Sequence, residues 1–404
     1  MVWSRTLGND NQSSILLSAK LFPRWATAEG LKKKMNKDYK YELDTPCLTI
    51  DIDILEHNLT NMQAAARAAG KNLRPHAKTH KCSRLAKKQI EAGAIGACAA
   101  KVSEAEVLAD AGVQGILITG PVVTAQKIDC LADILKTDAT VMVVVDHPEN
   151  ARRLDEAMQS MRLSLDVLLD IDVGLGRTGV LPQSALEMTG HITNSSNLRL
   201  KGIQAYAGFV QHIQSYPERK KASLECMQRA ADLFCKLKEK ERACTIFSGT
   251  GTGTYNIDIQ IPELTELQVG SYAVMDAEYL NIAAKKDPAR FSDFQPALTL
   301  LTTVVSVNNP EFVTVDAGLK SLYQHGGIPF VISPGFTDLR YEWFGDEYGQ
   351  LKGADGGNLP QLGTVLELVT SHCDPTINQF DCFYITQGEK VIDQWPIDLR
   401  GKSQ

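Results

Sequence analysis

The chain has 404 residues, 44% of them hydrophobic and 22% charged, enough for one large core and a second, smaller one. Its formal net charge of −6 excludes the broad basic field that nucleic-acid binding requires. No run reaches the ~18 apolar residues of a membrane span, so neither nucleic acid nor a membrane is expected as a partner.

Nine cysteines, an odd number, are scattered from Cys47 to Cys382, several of them inside predicted strands. That usage fits reduced thiols in a reducing compartment, and the expected location is the cytoplasm. Between Met1 and Lys37 there are seven Lys or Arg and two acids. A transit remnant would look like this, and would place the protein in an organelle lumen, mitochondrial or plastid. The preferred expectation is an N-terminal extension, residues 1–44, that packs on the C-terminal part of the chain.

From Cys47 onward, β-rich runs alternate with amphipathic helices. The strand-like runs are 48–52, 73–76, 95–100, 115–119, 140–145, 165–171, 200–206 and 245–247. Leu55, Leu59, Met62 and Ala66 line one face of the first helix, and Gly70 stops it. Ser103 and Glu106 have the spacing of a capping box at the start of a helix running to Ala111. Eight such runs over about 230 residues predict a (β/α)8 barrel over residues 45–285. After about Pro288 the pattern changes to strands at 298–307, 312–315, 364–369 and 381–385, joined by turns. Residues 286–404 are therefore read as a mainly antiparallel β domain.

One turn concentrates the chemistry. Arg74-Pro-His-Ala-Lys-Thr-His-Lys81 lies where a short apolar strand meets a basic amphipathic helix starting at Ser83. A lysine at the mouth of a β/α unit, desolvated and crowded by cations, is favoured as the neutral amine that attacks an aldehyde. Lys78 has Arg74, His76, His80 and Lys81 as sequence neighbours. The competing reading is a solvated basic turn.

Catalytic groups on a barrel belong at the C-terminal ends of its strands. There the sequence places Asp170-Ile-Asp-Val-Gly-Leu-Gly-Arg177-Thr-Gly179, then Tyr206-Ala-Gly208 with His212, then Ser248-Gly-Thr-Gly-Thr-Gly-Thr254. The last run brings backbone amides and threonine hydroxyls to one place, as a phosphate site requires. It is not a Walker loop, because no lysine follows the glycines. Gly270-Ser271-Tyr272 could complete the cradle. In the C-terminal domain His372 and Asp374 are two residues apart; on an extended segment both would project to one side and hold one divalent ion, with Cys373 turned away.

In this order and combination, the motifs R-P-H-x-K-T-H-K, D-x-G-x-x-R-x-G, the Gly/Thr loop and H-x-D resemble the fold-type III pyridoxal-phosphate enzymes. Within these the likeness is to the D-threonine aldolase and D-serine dehydratase group, relatives of alanine racemase, and it covers nearly everything from Asp44 onward. The resemblance implies a residue matching Lys78 that carries pyridoxal 5'-phosphate as a Schiff base, and an arginine matching Arg177 at the ring's phenolic oxygen. It implies a tyrosine matching Tyr206 near the ring nitrogen, and phosphate held by the segments matching Gly251, Thr252, Gly270, Ser271 and Tyr272. It also implies a base matching His212, a divalent metal on His372 and Asp374, and a homodimer. The dehydratases typically carry His-x-Cys; the carboxylate here favours Mg²⁺, Mn²⁺ or Ca²⁺ ahead of Zn²⁺. Thr250 departs from the family's run of glycines.

The expected activity is a lyase reaction, the aldol cleavage of D-β-hydroxy-α-amino acids. The alternatives are a 3-hydroxy-D-aspartate aldolase, a D-serine or 3-hydroxy-D-aspartate dehydratase and, from another class, a non-catalytic pyridoxal-phosphate carrier.

Overall fold

The computed structural model describes residues 38–137, 139–353 and 358–404. The basic segment up to Lys37 lies outside the described residues. Residues 38–44 do pack on the C-terminal sheet, where Tyr39 bridges Lys390 and the Lys40 amine bonds Glu367 at 2.8 Å.

Seventeen strands are present among the described residues. The first, β1 (Cys47–Asp51), stands apart from the eight that follow. These are β2 (Asn72–Leu73), β3 (Cys98–Ala99), β4 (Ile116–Ile118), β5 (Val141–Val145), β6 (Leu165–Ile171), β7 (Leu198–Ala205), β8 (Ile246–Gly249) and β9 (Glu266–Leu267). All their pairings are parallel, β9 adjoins β2, and a bridge between His76 and Cys98 joins the two sheet edges. The barrel is closed.

The strands are apolar on both faces, as β5 (Val-Met-Val-Val-Val) shows, because helices cover the outside while side chains fill the interior. The helix Ile52–Ala68 buries Leu55, Leu59, Met62 and Ala66, and Gly70 beyond its end adopts φ +67°. The helix Val102–Asp110 starts differently from the expected capping box: Lys101 is its N-cap, and Ser103 instead donates to the carbonyl of Gln404. Glu104 reaches back to the Ala100 amide at 2.7 Å and supplies the cap.

The run at 48–52 is not a barrel strand. β1 pairs antiparallel with β10 (Leu298–Ser306) inside a second sheet that also contains β11 (Phe312–Val315), β12 (Phe330–Val331), β13 (Arg340–Trp343), β14 (Gly349–Lys352), β15 (Val365–Val369), β16 (Cys382–Gln387) and β17 (Lys390–Pro396). Its order is β11-β14-β13-β12-β15-β10-β1-β16-β17, and a further β10–β11 pairing closes six strands into a ring. Leu48 and Ile50 are fully buried there. The eighth barrel position is taken by β9, whose Glu266 receives both Nε and Nη2 of Arg74 at 2.8 and 2.9 Å. β1 thus feeds the barrel from the second domain, and the crossing brings segment 371–377 over the C-terminal mouth of the barrel.

Candidate active site

The turn after β2 presents Lys78, but the cations expected to crowd it are largely paired off with carboxylates. Arg74 points into the barrel, neutralised by Glu266; Lys81 pairs with Glu104 at 3.1 Å; His80 is buried on Gln89 at 3.2 Å. Successive residues of a tight turn diverge, so Arg74, His80 and Lys81 find partners of their own, while His76 stays beside Lys78 on the cavity wall. The charged group at ion-pair distance from Lys78 is a carboxylate, Asp374, at 3.9 Å. His76 stays on the wall, with Nε2 on the Thr119 hydroxyl at 3.0 Å and a buried Nδ1 that has no partner among the described residues. Burial, reinforced by the Lys78 charge, pushes its imidazole well below the usual range, so it is neutral.

β6 ends in Asp170 and a loop folded around Asp172, which accepts the amides of Gly174 and Gly176 at 2.9 and 3.1 Å. The loop delivers Arg177 to the rim, its guanidinium 5.8 Å from the centre of the Tyr206 ring. Asp170 remains below, accepting from Gln204 at 2.9 Å and Thr178 at 2.8 Å. Burial pushes its carboxyl up to about 6 against those bonds. After β7, Gly208 lets the Tyr206 ring lie flat, since a Cβ there would fall 2.7 Å from the ring. His212 leaves 36% of its side chain open and lies against Tyr279, the ring centroids 4.6 Å apart and the planes tilted by 49°. Burial holds its imidazole down to about 4, with Asp276 opposing.

The Gly/Thr loop after β8 packs against Gln211. A Cβ on Gly251 would lie 2.6 Å from Gln211 Oε1, and one on Gly253 2.1 Å from the Gln211 carbonyl. Thr250 adopts φ +74°, where a glycine would be expected. Its hydroxyl is held by the buried Asp258, which also accepts from Thr254 and Ser223 at 2.6 Å each. Thr252 receives the amide of Tyr272 at 3.1 Å. Gly270 closes the cradle: a Cβ there would sit 2.4 Å from the Thr79 hydroxyl.

Across the cavity, His372 is extended (φ −140°, ψ 128°) and caps the short helix Cys373–Ile377. Asp374 therefore lies in a helical first turn, and the strand alternation expected for residues 372–374 does not apply. Cys373 is not turned away from the cluster: its thiol donates to Asp276 at 3.0 Å. Asp276, His372 and Cys373 bring their ligand atoms within 4.8 Å of one another. Asp276 Oδ2 already collects the His372 ring, the Cys373 amide and the Cys373 thiol, and burial drives the thiol pKa far upward. Those contacts make Asp276 and Cys373 supports of His372. Glu278 adds a second carboxylate, 3.0 Å from His372 Nδ1 and 3.5 Å from His212 Nε2. Burial opposes charge on His372, but the Asp276 carboxylate, with Asp374 and Glu278, holds it up to about 9.

Lys78, Arg177, Tyr206, His212, Gly251, Thr252, Gly270, Ser271, His372 and Asp374 all line one cavity. Tyr272 does not; its ring is buried and its hydroxyl accepts from Gln89 at 3.1 Å. Gln204, Gln268 and Thr119, which carried no sequence signal, form part of the wall. Asp276 and Glu278 were also missed. The only trace is an acidic i, i+2 pair closing the barrel sequence.

The cavity fits an aldehyde cofactor bearing a phosphate. It offers one lysine, an arginine at the rim, a loop whose glycines cannot carry a Cβ, and an orphaned imidazole nitrogen. The donor set also fits a hard divalent ion. Three carboxylates (Asp276, Glu278 and Asp374) surround His372, and Nδ1 is taken, leaving Nε2 as the ligand atom.

Residues 50–278 match the family profile described as alanine racemase, N-terminal domain, and residues 297–386 match a serine dehydratase domain. A 3-hydroxy-D-aspartate aldolase of Paracoccus denitrificans (strain Pd 1222) is 38% identical over 364 residues, covering 89% of this chain and 93% of its own. A D-threonine aldolase of Arthrobacter sp. is also 38% identical over 364 residues, covering 90% and 94%. A D-threo-3-hydroxyaspartate dehydratase of Delftia sp. (strain HT23) is 26% identical over 392 residues, covering 89% and 98%. The crystal structure of D-threonine aldolase from Filomicrobium marinum superposes with a TM-score of 0.85 at 36% identity, covering 91% of this chain and 98% of that one.

Proposed function

We propose, from the premise that this chain belongs to the alanine racemase-like family of pyridoxal-phosphate enzymes and is a carbon–carbon lyase of its aldolase branch, that it cleaves D-β-hydroxy-α-amino acids, D-threonine foremost, to glycine and an aldehyde. The observation that carries the proposal is the meeting of Lys78, the His212 imidazole and the His372–Asp374 pair on one cavity.

Lys78 would hold the cofactor, whose ring when bound is the electron sink for the carbanion left by Cα–Cβ cleavage. His372 and Asp374 would hold a divalent ion, which when bound supplies Lewis acidity at the β-hydroxyl. Arg177 and Tyr206 would orient the ring from the rim, and Gly251, Thr252, Gly270 and Ser271 would seat the phosphate. His212 is a neutral imidazole and takes the β-hydroxyl proton, directly or through water. Asp276 fixes the ring of His372 by accepting from Nδ1.

Proton removal from the hydroxyl favours collapse to a carbonyl and opposes departure of that oxygen, which supports cleavage over elimination. Aldolases of D-threonine and of 3-hydroxy-D-aspartate are equally similar to this chain. Among the described residues, Lys78 and Arg177 are the only lysine and arginine lining the cavity, and the cofactor would take both, leaving neither for a β-carboxylate. That supports the neutral side chain of threonine. A non-catalytic carrier would have no use for a hydroxyl-polarising pair.

The proposal includes a homodimer. Phe209, Tyr323 and Ile328 are 48%, 39% and 62% exposed, apolar area of the kind a subunit contact covers. It also includes a cytoplasmic location, on the cysteine usage. Product analysis on D-threonine tests the activity.

A further inference from the structure

A guanidinium with no part in the chemistry above lies behind the Gly/Thr loop. Arg219, in the first turn of the helix Tyr216–Lys240, is fully buried. Its Nε donates to the Gly253 carbonyl at 2.9 Å, Nη1 to Ile213 at 2.6 Å and Gln214 at 3.4 Å, and Nη2 to Ala283 at 2.5 Å. These acceptors belong to three separate segments. Gly253 is in the loop, Ile213 and Gln214 directly follow His212, and Ala283 follows the helix Ala277–Leu280 that carries Glu278.

Every one of these bonds goes to a carbonyl. The Tyr216 ring, 5.5 Å from the guanidinium, shields it further. No carboxylate is among its hydrogen-bond partners, and the charge of Asp293 offsets its burial only in part; a buried charge balanced incompletely is costly. The loop itself separates Arg219 from the cavity, and Gly253 lies one residue beyond Thr252 of the cavity wall. A phosphate dianion on the cavity side would add the negative charge that Asp293 supplies only in part.

The same helix grips the loop a second time. Ser223, one turn after Arg219, donates to Asp258, which holds Thr250 and Thr254. The loop is thus pinned at both ends from one helix. Its contact with the His212 segment is closed by Gly253, whose Cβ would meet the Gln211 carbonyl.

We propose that Arg219 is the positioning residue of this site: it supplies from behind the loop the positive charge that a bound phosphate completes, and it ties that loop to the segment carrying His212. This rests on the cofactor reading above.

The test uses the full-length protein, stripped of cofactor, as wild type, Arg219→Gln and Arg219→Lys. Each is titrated with pyridoxal phosphate and with pyridoxal, which lacks the phosphate, following the visible band. Arg219→Gln is expected to bind pyridoxal phosphate at least about tenfold more weakly, with pyridoxal changed less than about threefold. Arg219→Lys keeps the charge and should keep the wild-type preference. An unchanged preference in Arg219→Gln overturns the proposal.

Amide exchange supplies a second measurement. In Arg219→Lys, which loses the planar fork, residues 251–254 and 212–214 should lose protection together. Loosening of one segment alone, or of neither, overturns the coupling. This arm decides the matter if Arg219→Gln does not fold. A wild type that binds neither aldehyde defeats the cofactor reading instead, and the exchange result still judges the link between loop and base.

Discussion

Asp276 Oδ2 stands 3.0 Å from Nδ1 of His372 and 2.9 Å from the amide of Cys373, both of them 96 or 97 residues away in the chain. A carboxylate that takes the inner nitrogen of an imidazole fixes its tautomer and presents the outer one as a ligand.

Asp276→Asn should therefore weaken divalent-metal binding by about 10–100-fold while cofactor uptake is unchanged, read by metal titration beside the visible spectrum. Chelation, His372→Ala and Asp374→Ala should each abolish turnover and leave that spectrum intact. Cys373→Ser should be nearly silent, because a hydroxyl still donates to Asp276. A damaging Cys373→Ser with a tolerated Asp374→Ala would make Cys373, and not Asp374, the second ligand.

Lys78 is expected to carry the cofactor. The purified protein should be yellow and lose its visible band on borohydride reduction, and Lys78→Ala should lose the covalent link but not the fold. The side chain is 38% exposed and makes one long ion pair, so its truncation leaves no buried partner stranded. A colourless wild type that takes up no pyridoxal phosphate contradicts this assignment.

Thr250 trades backbone strain for a side-chain bond. At φ +74° it costs about 1–3 kcal/mol, and its hydroxyl bond to Asp258 returns about 1 kcal/mol or more. Thr250→Ala keeps the strain and loses the bond, so it should be about 1 kcal/mol less stable than Thr250→Gly in urea denaturation. That order is the reverse of the usual effect of glycine. Thr250→Ala matching or exceeding the glycine variant would refute it.

Asp170 ties stability to pH. Its folded pKa of about 6 lies above the ordinary carboxylate value, so the folded state binds the proton more tightly. The stability this contributes is complete below the unfolded pKa and is lost as pH rises through about 6. Two pKa units correspond to about 3 kcal/mol. Relative to wild type, Asp170→Asn should gain most of that between pH 4 and pH 7; a difference flat across this range would show Asp170 to be unperturbed.

Much of the site was legible because its chemistry is concentrated in short local runs: the Lys78 turn, the Arg177 loop and the Gly/Thr loop each sit at the end of one strand. What depended on side-chain direction was not. Arg74 and Lys81 border Lys78 in sequence but turn to Glu266 and Glu104, and Tyr272 supports the cradle from beneath. His372 and Asp374 reach one cavity through a helix start instead of strand alternation. Asp276 and Glu278 act on His372, almost a hundred residues away, and no local pattern marks such a contact. The barrel's eight strands were counted correctly with one wrong member. β9 is two residues long, below any periodicity, and its Glu266 suits the interior only because Arg74 meets it there.

The central claim is that the carbon–carbon bond breaks and the hydroxyl oxygen stays. Both reactions begin with the same bound substrate, so cofactor spectra do not separate them, and product identity does. D-threonine should give glycine and acetaldehyde in equal amounts, L-threonine should be inert, and His212→Ala should lower turnover by about 10²–10⁴-fold. Stoichiometric ammonia and 2-oxobutanoate from D-threonine, without glycine, would contradict the account and make the enzyme a dehydratase.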